Sequence, residues 1–219
     1  CGAGAAATAA AAAAGGAPTS TPATTVTVAA LQRICCDPDP RGPASTAAPA
    51  FQSIRRCTHP VVAACRGWTM GGGCGIATMA DFRIGGPGTR MGIPARNLSL
   101  FYHYGELDPL LQSVGYAVAC ELLIEGRVLT GEEAFRKGLV TRLVPDEAVF
   151  EEAMAMAHRI SEGAPLSNRF HKAALQRLRG ALPVSEAELK AVDDFAYTED
   201  FREAVQAFLE KRKPTWKGR

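Results

Sequence analysis

Val61-Val62-Ala63-Ala64-Cys65-Arg66-Gly67-Trp68-Thr69-Met70-Gly71-Gly72-Gly73-Cys74-Gly75, entered through Thr58-His59-Pro60 and left through Ile76 to Ala80 and Asp81-Phe82-Arg83-Ile84, is the stretch that decides the fold. Its five-residue apolar run between a proline and a glycine suits a strand buried on both faces. The three consecutive glycines are read as following that strand directly and as sitting where a helix begins. Without a Cβ their backbone N–H groups can approach a ligand closely. The first N–H groups of a helix also lack intrahelical partners and carry the positive end of its dipole, which favours a developing negative oxygen. Such a corner can form half of an oxyanion hole. The same glycines equally suit a tight strand-to-helix turn packed on its neighbour, and on their own they do not choose.

Other glycine-loop chemistries fit poorly. No Gly-Lys-Ser or Gly-Lys-Thr follows, and Ile76 stands where a dinucleotide fingerprint needs its third glycine. The corner therefore points to a carbonyl oxygen more than to a phosphate.

The run from His59 to Asp81, continued by Phe82-Arg83-Ile84 and Met91-Gly92-Ile93-Pro94, resembles the crotonase superfamily, also called the enoyl-CoA hydratase/isomerase family. Members read Gly-Gly-Gly-Cys-Glu, then Cys-Asp-Ile-Arg-Ile, then Phe-Gly-Gln-Pro-Glu. Gly126-Arg127, Thr130-Gly131-Glu132-Glu133-Ala134, Gly138-Leu139-Val140 and Val144-Pro145 are similar to the family's later segments, and Phe208 to Pro214 to its C-terminal signature. The agreement covers roughly residues 51 to 219 and favours the oxyanion reading of the glycines. It implies an α/β fold: a crotonase-like ββα spiral core lacking its first strands, followed by a C-terminal helical trimerisation segment.

With 219 residues the chain suffices for one sizeable domain, or one with a small appendage. A net charge of +2 signals no special attraction to nucleic acid, and the basic tail from Lys211 to Arg219 reads as solvated. No stretch is expected to reach the uninterrupted apolar length of a membrane span. Seven cysteines, with Cys35-Cys36 the only close pair and no CxxC spacing, indicate neither a zinc site nor a disulfide framework. A reducing compartment, mitochondrial or cytoplasmic, fits that usage.

Residues 1 to 32 carry no charge and are rich in alanine, threonine, glycine and proline. Gly15-Gly16, Pro18 and Pro22 interrupt any long helix, so residues 1–46 are expected to be a largely disordered segment or insertion, with at most a helical turn or two around Ala9 to Ala14. An organellar transit peptide fits the missing acids but not the missing arginines. Because the chain opens on Cys1, it is read as a processed or truncated product or an internal segment. The family's second oxyanion donor comes from an Ala-Gly-Ala-Asp loop. The resemblance offers Ala3-Gly4-Ala5-Ala6, with Ala5 as donor and Ala6 in place of the acid.

Residues 47–144 then form the partial core and 145–219 the helical segment. Ala47 to Cys57 reads as a short helix with Phe51 and Ile54 on one face. Leu107 to Gly126 has helical spacing broken near Gly115, and Thr130 with Glu133 is a capping box for a helix ending near Gly138. Leu139 to Leu143 is extended, and helices follow from Asp146 to about Glu162, from Pro165 to Arg179 and from Glu199 to about Lys211. Ser185 with Glu188 forms a second capping box.

Family hydratases carry one glutamate after Gly-Gly-Gly-Cys and one after Gly-Gln-Pro, to activate water and to protonate the α-carbon. At the matching positions this chain has Gly75 and Ala95, which move no proton. Glu106 and Asp108 are the nearest acids, beside Tyr102, His103 and Tyr104. The family's decarboxylase branch has a tyrosine where Tyr102 stands, so Tyr102 is a candidate proton donor; half-buried packing is its other reading. The resemblance assigns Gly72 as oxyanion donor, Gly71 and Gly73 as substrate contacts, and Phe208 and Lys211 to a neighbouring subunit's CoA. An amphipathic helix docked on the body would explain those last two as well. His59, His158 and His171 are read as non-catalytic, no metal site is expected, and the only cofactor implied is coenzyme A as part of the substrate.

The reading is thus an acyl-CoA enzyme of isomerase, decarboxylase or hydrolase type, favoured by retention of Gly71 to Gly73 and Asp81. Its alternative is a non-catalytic relative that assembles with itself or a paralogue, as a homotrimer, a dimer of trimers or a hetero-assembly.

Overall fold

The computed structural model describes residues 24–27, 51–98, 102, 104–179, 187 and 198–219. They fall into two compact units, the first over 24–27, 51–57 and Val61–Ala157, the second over Thr58–Pro60 and His158–Arg219.

In the first unit the chain alternates between two small sheets. Strand β1 (Thr24–Thr27), helix α1 (residues 51–55) and β2 (Val61–Cys65) precede β3 (Trp68–Met70) and α2 (Gly72–Met79). Then come β4 (Phe82–Gly85), β5 (Arg90–Gly92), α3 (Tyr104–Cys120), β6 (Val128–Thr130), α4 (Gly131–Arg136), β7 (Arg142–Leu143) and α5 (Val149–Ser161), whose residues from His158 on belong to the second unit. One sheet is parallel throughout in the order β1-β2-β4-β7; the other has the order β3-β5-β6, with β5 antiparallel to β6. Two successive turns, β2-β3-α2 and β4-β5-α3, each place one strand in each sheet and then a helix. That is the ββα spiral of the crotonase-like fold.

β2 sits between β1 and β4, with Thr24 opposite Val61 and Val62 opposite Phe82, which is why all five of its residues are buried and apolar. β1 is a finding against expectation, since Thr24–Thr27 lies in the segment read as disordered. Three threonines and a valine favour extended backbone, and pairing with β2 supplies what local pattern alone could not signal. Ala9 to Ala14 lie outside the described residues, as do Ser185 and Glu188. A second correction concerns the glycines. They follow β3, which belongs to the other sheet, and not β2; Arg66 and Gly67, at φ 66, turn the chain between the two strands.

Polar groups fix the strand ends. The Asp81 carboxylate accepts the Val61 N–H at 2.8 Å while the Asp81 N–H donates to Val61 O at 3.0 Å, bracing the starts of β2 and β4. Buried Arg83 donates to Leu139 O and Ala80 O, each at 2.8 Å. Gly131 opens α4 behind the Thr130–Glu133 capping box, and a Cβ there would lie 1.9 Å from Gly86 O, so only glycine fits. The core gathers Val61, Cys65, Ile76, Met91, Leu110 and Leu122, with Phe51 buried and Ile54 partly buried against it. Burying each large aliphatic side chain stabilises by about 2 kcal/mol.

α3 breaks at Gly115 (φ 75, ψ 172), continues to Cys120, and passes into a π turn, Glu121–Glu125, closed by left-handed Gly126. The combined run Tyr104–Glu125 is long and apolar enough to cross a membrane by length and composition, contrary to expectation. Here Leu110 and Leu122 are buried in the same core as α2.

The second unit holds α6 (Pro165–Leu178) and α7 (Glu199–Glu210). Buried Lys172 donates to His59 O at 2.8 Å, and the Trp216 indole donates to Glu162 O at 2.9 Å. The Asp200 carboxylate, on a residue 2% exposed, accepts the N–H groups of Lys217 (2.7 Å) and Gly218 (3.0 Å). Glu203 is held by both terminal nitrogens of Arg212 and by the Thr215 N–H.

Candidate functional site

The glycine corner is built by β3 and α2. β3 runs parallel to β5, and the ladder extends one residue further through the Gly71 N–H, which donates to Gly92 O at 2.8 Å. Gly71 then turns the chain with φ 53 and ψ −119, a conformation other residues rarely adopt. A Cβ there would meet nothing within 4 Å, so conformation and not space demands glycine.

Gly72 and Gly73 are the first two residues of α2, half-buried, while every residue from Cys74 to Met79 is buried. Among the described residues neither the Gly72 nor the Gly73 N–H has an acceptor, and no side chain caps the helix. Among the described residues these two backbone donors are unpaired at the positive end of a helix whose first turn holds no acid. That arrangement can stabilise negative charge on an incoming oxygen.

The floor of the corner is apolar and phenolic. Gly75 is buried, and a Cβ on it would lie 2.9 Å from Tyr102 Oη and 3.5 Å from Phe51 Cε2. Tyr102 donates its hydroxyl to Gly71 O at 2.6 Å. Ala95 is buried in the short 3-10 helix Pro94–Leu98. Cys74 directly follows the glycines, yet burial pushes its thiol and that of Cys65 up to about 12, so neither is a thiolate nucleophile at neutral pH.

Other candidates are occupied elsewhere. Asp108 accepts from Arg55 and Gln112, each at 2.6 Å, and so brackets α1 to α3. Asp81, read as support for an enzyme, is a brace between strands. Tyr104 is 74% exposed. His103, Ala5 and Ala6 lie outside the described residues. Phe208 (83% exposed) and Lys211, the left-handed C-cap of α7 at φ 54, belong to the second unit. His59 is in that unit too, and burial, together with the charges of Arg169 and Lys172, lowers its pKa. His171 pairs with Ser167 at 3.2 Å. Among the described residues no three His, Cys, Asp or Glu side chains come together as a metal site.

Sequence reasoning missed the contact between Tyr102 and the Gly71–Gly75 turn. The only signal was indirect: a glycine inside a buried helix leaves a volume that something must fill.

The profile of the family described as enoyl-CoA hydratase/isomerase matches residues 39–219. This chain belongs to that family. Among its relatives, 2,3-dehydroadipyl-CoA hydratase of Escherichia coli is 32% identical over 168 residues, 76% of this chain and 66% of that protein. Carnitinyl-CoA dehydratase of Citrobacter koseri is 34% identical over 73% of this chain and 64% of that one. The crystal structure of an enoyl-CoA hydratase/carnithine racemase from Magnetospirillum magneticum superposes with a TM-score of 0.78 at 36% identity, over 89% of this chain and 73% of that one. This family member thus spans just under two thirds of the length of the two curated relatives.

Proposed function

We propose that this enoyl-CoA hydratase/isomerase family member binds an acyl-CoA thioester and polarises its carbonyl with the Gly72 N–H, Gly71 and Gly73 lining the same corner. Its chemistry is of isomerase, decarboxylase or hydrolase type and not two-glutamate hydration. The observation that carries this reading is the filled space at Gly75, where Tyr102 Oη lies 2.9 Å from the point at which any side chain would begin. A glutamate on α2 has no room there unless Tyr102 leaves. Of the acids near this stretch in sequence, Asp108 is bound to Arg55 and Gln112. Tyr102 is the ionisable group beside the turn, and its hydroxyl is already engaged with Gly71 O. Coenzyme A enters only as part of the substrate, with Phe208 and Lys211 as candidate contacts to a neighbouring subunit's CoA.

Purified protein incubated with crotonyl-CoA and with a malonyl-type CoA thioester tests the proposal. Expected are turnover or loss of the malonyl carboxylate without hydration of crotonyl-CoA, and loss of activity in Gly72→Pro. Hydration at a rate typical of two-glutamate enzymes would sink it.

A second reading, assembly without catalysis, is favoured by the outer face of α7, where Phe201, Val205, Phe208 and Leu209 recur at helical spacing and stay exposed. A homotrimer, a dimer of trimers or a hetero-assembly with a paralogue would cover that stripe. Light scattering on the wild type and on Phe208→Glu separates the readings: assembly that fails in the variant while no CoA ester binds to either protein leaves only this one.

A further inference from the structure

We infer that Tyr102 is a positioning residue for the Gly72 N–H. Its hydroxyl, lodged where Gly75 has no side chain, fixes the peptide plane whose other end is the proposed oxyanion donor. The inference rests on the reading of Gly72 given above and deepens it.

Gly71 O and the Gly72 N–H belong to a single peptide group, and no peptide bond among the described residues is cis. In a planar trans peptide the C=O and N–H point in opposite directions, so whatever holds the carbonyl aims the N–H. Gly71 O accepts two hydrogen bonds, from the Gly75 N–H at 3.0 Å and from Tyr102 Oη at 2.6 Å. The first is the helix's own first bond, which any sequence here would make. The second comes from a side chain 31 residues further along the chain, and nothing in helix formation requires it.

The plane has reason to be held. It joins two glycines, which resist rotation least of all residues, and Gly71 has open space around its missing Cβ. The bond from the Gly71 N–H to Gly92 O secures the preceding peptide and leaves this one free to tilt.

Gly75 is the other half of the device. At 2.9 Å from Tyr102 Oη, a Cβ on residue 75 would drive the hydroxyl off Gly71 O. Gly75 and Tyr102 are therefore matched: the corner gives up a side chain from α2 and receives a phenol from residue 102. Two unrelated substitutions should break the same contact. Tyr102→Phe removes the hydroxyl and keeps the ring packed on the core; Gly75→Ala keeps the hydroxyl and displaces it.

The test uses the full chain, labelled with 15N, as wild type, Y102F, G75A and the double variant. Backbone order parameters are measured at Gly72, and affinity for crotonyl-CoA is measured by calorimetry. Each single variant is expected to lower the Gly72 order parameter from about 0.85 toward 0.6 and to weaken crotonyl-CoA binding about tenfold. The double variant should be no worse than either single one, because both remove one interaction. An unchanged Gly72 order parameter in both single variants, or losses that add in the double, would overturn the inference. If Y102F does not fold, G75A alone decides it. Loosening of Gly72 in a protein whose wild type binds no crotonyl-CoA would uphold the positioning and reject the thioester reading.

Discussion

Three sets of backbone N–H groups among the described residues can be compared, each including a glycine, and one of them differs from the other two. In the second unit the Asp200 carboxylate collects the N–H groups of Lys217 and Gly218. In the first unit both oxygens of Asp146 lie 2.9 and 3.0 Å from the Gly88 N–H. At Gly72 and Gly73 no described residue offers an acceptor, and the first turn of α2 contains no acid. The first two are closed from within and serve stability, whereas the third has no acceptor among the described residues, as the proposed oxyanion role requires. The difference lies in the residues supplied around the glycines, and not in the glycines themselves.

The largest effect should come from closing the open corner covalently. Gly72 is the first residue of α2, a position where proline fits the helix and its missing N–H costs the fold nothing. Gly72→Pro should therefore keep the circular dichroism spectrum while lowering any thioester turnover by about two to three orders of magnitude. A variant that unfolds, or one that keeps its activity, would erase the contrast with the closed sites.

Next is the opening of a closed one. Asp200→Ala leaves two backbone donors at the C-terminus without their charged acceptor, and should cost roughly 2 kcal/mol in a denaturant titration of the second unit. It should leave crotonyl-CoA affinity unchanged if Asp200 is purely structural. Gly71→Ala comes after it: forcing a Cβ into φ 53 costs about 1–2 kcal/mol, visible as a lower melting temperature, although the space around the position is empty.

How much of this could be read beforehand differs by element. The buried strand Val61–Cys65, the break at Gly115, the Thr130–Glu133 capping box and the starts of α6 and α7 follow from local rules, because each depends on residues within a few positions. β3, β5 and β6 are three residues each and exist only through pairing with one another, so no periodicity announced them. The same holds for β1. Within the site, Gly71 to Gly73 were legible as a helix start. Gly75 was legible only as the position where family hydratases carry a glutamate, because the phenol that fills its space comes from a distant segment. The structural work of Asp81, read in the sequence only as favouring an enzyme, was not legible for a related reason: its partner Val61 lies 20 residues away.

The smallest effect sharpens the comparison from the side of charge. Glu203 is held down to about 2, from an ordinary 4.5, by hydrogen bonds from Arg212 and from the Thr215 N–H. A carboxyl whose folded pKa is depressed contributes stability in full above 4.5, and that contribution is lost as pH falls from there through about 2. Residues 212–216 should therefore loosen within that window. Trp216 reports it, because its indole is bonded to Glu162 O, provided the other tryptophan is removed as Trp68→Phe. In that background the Trp216 emission should titrate between pH 4.5 and 2, and Glu203→Gln should shrink the transition to what the Glu210–Arg212 and Glu199–Lys217 pairs leave, while loosening the segment slightly at neutral pH. Glu203 is only half-buried, so added salt should shrink the transition. Identical titrations with and without the Glu203 charge would mean that this end of the chain is held by the Asp200 carboxylate and the Trp216 indole, and that the Glu203 charge adds nothing to them.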